Sequence, residues 1–158
     1  MIKSKKDLTK EEFLHKIIEV VKFHEVDLLG VCNNAVYFNY FEDARLKYTQ
    51  DLKANYKLKE FLEDESFFIM VHNDCDYFES AHLDDELTVH TKIEFIKNSS
   101  FGFKHLVEKK STGKIIAAGG GIVVHTNKST QEPRPLPKEF YDAVSDYEKS
   151  VDILKNKT

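Results

Sequence analysis

Apolar and polar residues alternate in short stretches along most of this chain, and one long segment breaks that rhythm. The first patterned stretch, Ile17-Ile18-Glu19-Val20-Val21-Lys22-Phe23, is β-branched with partial alternation, which predicts a strand. His24 to Cys32 interrupts it as a loop. From Asn33 or Asn34 to about Leu52 the period changes: Val36, Tyr40, Ala44, Tyr48 and Leu52 recur every four residues, with Tyr37 and Phe41 beside them. That spacing predicts a long helix with a broad apolar face, and the two asparagines stand where an N-cap belongs. Lys53 to Glu65 is charged and reads as a loop with a helical turn.

Four β-rich stretches follow, Phe67 to Tyr77, Glu86 to Lys97, Phe101 to Lys109 and Lys114 to Thr126, separated by polar turns such as Ser111-Thr112-Gly113. Pro133, Pro135 and Pro137 break the chain, after which Lys138 to Leu154 resumes a helical, charged pattern. Residues 1–12 are polar and lysine-rich, a frayed terminus or a short helical lead-in. The order of strand, long helix and four consecutive strands predicts an α+β layout, with a five-stranded antiparallel sheet able to wrap the helix. At 158 residues the chain reads as one domain, residues 1–158.

Composition narrows the classes. A hydrophobic share of 41% with 12 Phe and 7 Tyr is globular, and a formal net charge of -4 with mixed signs offers no stripe for a nucleic acid. Two cysteines, Cys32 and Cys75, are too few for a disulfide framework and point to a reducing compartment. The opening residues lack the apolar core of a signal peptide, and no run approaches membrane-spanning length, so the expected location is cytoplasmic.

The informative stretch runs from Phe23 to Arg45. Glu25, Asp27, Gly30, Asn34, Tyr37, Glu42, Ala44 and Arg45 fall, without a gap, on the signature of the hydroxybenzoyl-CoA thioesterase family, which also holds the Tol-Pal-associated acyl-CoA thioesterases. The chain closely resembles that family. The resemblance continues through Cys75-Asp76-Tyr77, Asp85 to Val89, Lys97 to Phe103 and Pro133 to Pro137. It departs where Ser80 replaces a frequent Pro, Asp84 a Gly, and Asn34 a His or Tyr. The resemblance implies a hot-dog fold, hydrolysis of an acyl-CoA or acyl carrier protein thioester, no metal or organic cofactor, and a homodimer or homotetramer. It further implies that Asp27 is the catalytic carboxylate, as general base on water or as nucleophile, and that the backbone N–H of Asn34 is the oxyanion donor. Gly30, Val31, Asn33 and Tyr37 would form the substrate-binding surroundings, with Ser99, Ser100 and Phe101 facing them from a second subunit.

This assignment has a physical basis. Thioester hydrolysis needs a carbonyl polarised by hydrogen-bond donors and a base or nucleophile at its carbon. A helix start offers unpaired N–H groups and the positive end of a dipole, and a turn at Leu28-Leu29-Gly30 folds Asp27 back toward it. The ordinary alternative for Asp27 is a loop aspartate capping a turn. Glu25 holds the loop, raises the pKa of Asp27, or is a solvated carboxylate, and the last is the commoner case. Glu42 and Arg45, three apart on the helix, are expected to pair.

Other residues weigh less. Cys32 is a possible nucleophile, but a free cysteine is more often a small buried hydrophobe. His72, Asp74 and Asp76 share a strand face at a spacing that could gather metal ligands, but a solvent-facing polar face is the favoured reading. Gly119-Gly120-Gly121 lies in a strand pattern with no following Lys-Ser or Lys-Thr, so it predicts a bulge or close packing and not a phosphate cradle. Lys97, Lys104, Lys109, Lys110, Lys128 and Arg134 are candidates for the coenzyme A phosphates. A hot-dog dehydratase is disfavoured by the missing His-Phe-Pro-Gly segment, and a non-catalytic acyl-CoA-binding domain by the intact Asp27.

Overall fold

The structure, a computed structural model, describes residues 9–58 and 65–155. After a 3-10 turn at Lys10–Glu12, strand β1 (His15–Val20) leads through a second such turn, Phe23–Glu25, into helix α1 (Val36–Tyr56). Strands β2 (Ser66–Tyr77), β3 (Glu86–Ile96), β4 (Ser100–Lys109) and β5 (Lys114–Asn127) follow, then helix α2 (Lys138–Tyr147) and a short β6 (Asp152–Ile153). The strand order is β1-β3-β4-β5-β2, with every neighbour antiparallel, and β6 pairs in parallel with the end of β3. This is the expected hot-dog arrangement, with six strands where the pattern predicted five. Two residues of β6 are too short to leave a periodic signal.

Helix α1 buries Tyr37, Tyr40, Phe41, Ala44, Tyr48 and Leu52 against the sheet, the predicted face shifted slightly toward the aromatic residues. The buried core has two halves along that helix. One gathers Val21, Cys32, Tyr37, Tyr40, Phe41, Leu87, Val107 and Ile116 near the helix start. The other gathers Tyr48, Leu52, Ile93, Phe101, Phe103 and α2 residues such as Phe140 near its end. The triple glycine supports this packing as expected: a Cβ on Gly119 would sit 2.5 Å from the Phe41 ring, and one on Gly121 would strike the Met70 methyl.

Several boundaries differ from the pattern. The long helix starts at Val36, not at Asn33 or Asn34, and continues to Tyr56, where Lys57 closes it in a left-handed conformation (φ 54°). Residues 1–8 of the lysine-rich lead-in and residues 59–64 of the expected loop lie outside the described residues. Helix α2 ends at Tyr147, not Leu154, because Glu148 turns extended and inward. There its Oε1 accepts hydrogen bonds from the Tyr48 hydroxyl (2.5 Å) and the Ile93 N–H (3.1 Å). Asp84, where the resemblance leads one to expect Gly, adopts φ 68°, a left-handed backbone that aspartate tolerates better than most residues. Among the described residues no helix is long and apolar enough to cross a membrane.

On the helix-facing side, half-buried Glu19 of β1 bonds to Asp43 of α1, with Lys22 and Glu25 also acting on it. Burial and then the neighbouring carboxylate push Glu19 up to about 7. A carboxyl raised in this way stabilises the fold below its unfolded value near 4.5, and that contribution is lost as pH rises through about 7. Glu19→Gln, neutral at every pH, should therefore raise the unfolding midpoint at pH 8 by the equivalent of about 1 kcal/mol, allowing for solvent screening. The gain should shrink to about a quarter of that at pH 5 and vanish below about pH 4. Equal midpoints of the two proteins at pH 8 would show that the pair carries no strain.

Candidate functional site

The segment between β1 and α1 is a compact loop whose own amides organise it. Val26 and Cys32 form an antiparallel bridge, and the Asp27 N–H donates to the Val31 carbonyl (2.9 Å). The Gly30 N–H donates back to the Asp27 carbonyl (3.0 Å), closing a turn that needs the positive φ of Gly30, 77°. The exposed Asp27 carboxylate folds over this turn: its Oδ1 accepts from the Leu29 N–H (2.8 Å) and the Val31 N–H (3.4 Å). Asp27 thus has the turn-capping role of a loop aspartate, while Oδ2 has no partner among the described residues.

The loop is tied to the helix start and to the sheet. The Cys32 N–H donates to the Ala81 carbonyl and the Asn33 N–H to the Glu25 carbonyl, both at 2.8 Å, and Val31 bridges to His82. The Asn33 Oδ1 accepts the Ala35 N–H (3.0 Å) and its carbonyl accepts the Val36 N–H (3.0 Å), so Asn33 caps the turn that leads into α1. The Asn34 carbonyl accepts the Tyr77 hydroxyl (2.7 Å), and its N–H meets no acceptor among the described residues. A fixed, unpaired N–H at the positive end of a 21-residue helix is suited to bind a developing oxyanion.

Glu25 corrects the expectation of a solvated carboxylate. It is 8% exposed, and its Oε1 accepts from the Lys22 N–H (2.8 Å) and the Tyr40 hydroxyl (3.0 Å), which anchors the loop onto α1. Tyr37 is buried between Tyr40 and Tyr77, with its hydroxyl on the Ala81 backbone. Cys32 is buried as anticipated, with Sγ 3.7 Å from the Tyr40 hydroxyl, and burial raises its thiol above the ordinary value. The sequence reading missed Tyr77 and Tyr40 as supports of the site. Tyr77 stands in the Cys75-Asp76-Tyr77 segment that the resemblance had already picked out.

One chain brings together Asp27, Gly30, Val31, Asn33, Asn34 and Tyr37, and leaves Ser99, Ser100 and Phe101 elsewhere. The loop lies beside the first residues of β3, whereas Ser99 and Ser100 turn the chain after its last, roughly 35 Å away along the strand. Ser100 and Phe101 are buried, and Phe101 belongs to the far half of the core. Glu42 and Arg45 do not form the expected ion pair: burial lowers the pKa of Arg45, and its Nη1 is buried without a partner. His72 and Asp74 share an exposed strand face and bond to each other (2.9 Å). Of the cation candidates, Lys109 is held by Asp85 and Lys110 by Glu86.

Known proteins extend this geometry. The chain is 25% identical over 126 residues to a putative esterase of Aquifex aeolicus, covering 80% of this chain and 94% of that protein. It is 29% identical over 126 residues to the acyl-CoA thioesterase YbgC of Haemophilus influenzae, covering 75% and 85%. Among solved structures, a Staphylococcus aureus protein in complex with CoA superposes with a TM-score of 0.74 at 17% identity, covering 86% of this chain and 84% of its own. The model of the thioesterase-like superfamily matches residues 21–144, which include the Asp27 loop, the whole of α1 and all of the main sheet beyond β1. This chain belongs to the thioesterase-like superfamily.

Proposed function

We propose that this chain, a thioester hydrolase by family, cleaves an acyl-coenzyme A to the free acid and coenzyme A in the cytoplasm, using Asp27 and the N–H of Asn34. The observation that carries the reading is the unpaired Asn34 N–H at the start of α1, tied through Asn33 and Glu25 to the loop that presents Asp27. A thioester carbonyl bound to that N–H is polarised, and the carbon becomes open to attack. Asp27 acts there either by taking a proton from water or by attacking the carbon itself. The likeness to YbgC, named an acyl-CoA thioesterase, and to the CoA-bound structure supports coenzyme A as the leaving group. Free thiols at Cys32 and Cys75 fit a reducing compartment.

The site needs a second copy. Among the described residues strand β2 pairs only with β5, so its outer edge leaves backbone groups open along twelve residues, beside exposed Phe67 and Val71. Antiparallel pairing of this edge with its own copy continues the sheet and is isologous. Pairing centred on the middle of β2 sets Tyr77 of the second copy opposite Ser66, so its Asn34 and Asp27 approach the end of the sheet that holds Ser99 and Ser100. The exposed Leu28 and Leu29 flanking Asp27 then gain cover.

Asp27→Asn keeps the shape and the loop hydrogen bond but removes the base or nucleophile, so kcat on the best acyl-CoA should fall on the order of a hundredfold or more with little change in unfolding midpoint. Near-native turnover would remove Asp27 from the chemistry. Cys32→Ala should cost stability by cavity formation and leave turnover within severalfold, measured by thiol release. Full inactivation of that folded variant would move the nucleophile to the thiol.

The shared site has its own test. Asp27→Asn protein and a Ser99→Ala/Ser100→Ala double variant, unfolded and refolded together in equal amounts, should regain about a quarter of wild-type activity, since half the dimers are mixed and each then holds one intact site. A fully active monomer in sedimentation at assay concentration would contradict the shared site.

A further inference from the structure

The inference rests on the hydrolase reading above and concerns how the Asn34 N–H is held in place. The chain enters α1 through successive bonds that each reach back three residues. The Val36 N–H donates to the Asn33 carbonyl (3.0 Å), the Tyr37 N–H to the Asn34 carbonyl (3.4 Å) and the Phe38 N–H to the Ala35 carbonyl (3.3 Å). A turn wound this tightly has poorer hydrogen-bond geometry than the α-helix it leads into. The longest of these bonds falls on Asn34, the residue whose N–H is offered to the thioester. Left to the backbone alone, the Asn34 carbonyl would be the loosest point of the entry turn.

Two side chains close on the peptide between Asn34 and Ala35. Tyr77, the last residue of β2, donates its hydroxyl to the Asn34 carbonyl at 2.7 Å, shorter than any of the backbone bonds in the turn. At the nitrogen of the same peptide, the Ala35 N–H donates to Asn33 Oδ1 (3.0 Å). A planar unit gripped at its oxygen and at its nitrogen resists turning about the bonds that flank it. The preceding peptide, which carries the Asn34 N–H, is held at its own carbonyl by the Val36 N–H. The direction of the Asn34 N–H therefore follows from contacts on both peptides that meet at Asn34.

Tyr77 is itself held. It pairs with Ala117 of β5 in the sheet, so its hydroxyl reaches the helix start from an element outside the Asp27 loop. Its ring meets the buried Tyr37 edge to face, with centroids 5.1 Å apart, and Tyr37 meets Tyr40 in the same manner at 5.9 Å. Burial, and then the Cys75 thiol beside it, raise the Tyr77 hydroxyl above its ordinary pKa, so it remains a protonated donor throughout the neutral range.

We propose that Tyr77 is a positioning residue for the hydrolysis: by bonding to the Asn34 carbonyl, its hydroxyl keeps the Asn34 N–H directed at the thioester oxygen. Tyr77 acts through Asn34 and not by touching the substrate. A hydroxyl that only stabilised the fold would lower the unfolding midpoint when removed and leave kcat alone.

Tyr77→Phe in the full-length protein keeps the ring against Tyr37 and removes the one bond. Well below the unfolding temperature, kcat on the best acyl-CoA should fall about tenfold with KM changed by less than about twofold, the effect of one hydrogen bond and a slight misplacement of a catalytic group. Tyr56→Phe removes a hydroxyl bond to Asp146 (2.9 Å) at the far end of α1, and as the control for lost stability should leave both constants unchanged. In the ligand-free protein, the Ala35 amide should exchange with solvent about tenfold faster in Tyr77→Phe than in the wild type, because the grip on its peptide is weakened. Unchanged kcat in folded Tyr77→Phe, or an equal loss in Tyr56→Phe, overturns the proposal and leaves the hydrolase reading intact. An Ala35 exchange rate unchanged in Tyr77→Phe overturns it independently of activity, whereas absence of turnover by the wild type on every acyl-CoA removes the hydrolase reading and this one with it.

Discussion

Phe41 lies flat on His105, with ring centroids 4.5 Å apart and planes 5° from parallel, and its edge fills the space over Gly119 where a side chain would stand. The separation of helix and sheet depends on this contact. Any Cβ at position 119 would collide with the ring or with the Asp74 carbonyl, so α1 would have to lift from β5. Lifting it would uncover Tyr37, Tyr40 and Ala44 and slacken the bond from the Tyr40 hydroxyl to Glu25. That bond is one of the ties that hold the loop presenting Asp27. A missing side chain in the sheet thereby fixes where a carboxylate sits some distance away.

The same packing divides the chain by task. Near the start of α1, backbone groups and buried tyrosines hold a polar loop in place, and the unpaired Asn34 N–H is its chemical product. Along the middle of the helix, phenylalanines and Met70 form an apolar groove beside Arg45, whose Nη1 is buried without a partner among the described residues. The edge of β2, with Phe67 and Val71 exposed beside it, is the surface on which the proposed second copy would pair.

Much of this was readable in the sequence because it follows local periodicity. The fourfold recurrence from Val36 to Leu52 and the alternating stretches after it gave the helix and four strands within a few residues, and the spacing from Glu25 to Arg45 marked the loop and helix start. Asp84 was visible as a departure from the family signature, and its left-handed backbone is one that glycine adopts without strain. Tertiary contacts decided the rest. Glu25 looked like a surface carboxylate because its partner, Tyr40, is fifteen residues away. Helix α2 looked longer because nothing local announces that Glu148 turns inward to meet Tyr48, a hundred residues earlier. Glu42 and Arg45 have helical pairing distance, but burial of one and exposure of the other separates them.

The central claim is that a thioester carbonyl binds the Asn34 N–H beside Asp27. Amide resonances followed during titration with a non-hydrolysable ketone analogue of an acyl-CoA, the sulfur replaced by methylene and the carbonyl retained, test it most directly. The account predicts a downfield shift of the Asn34 amide proton among the largest in the protein, which disappears when the analogue lacks the carbonyl oxygen. An Asn34 amide that stays still while the analogue binds elsewhere would contradict it.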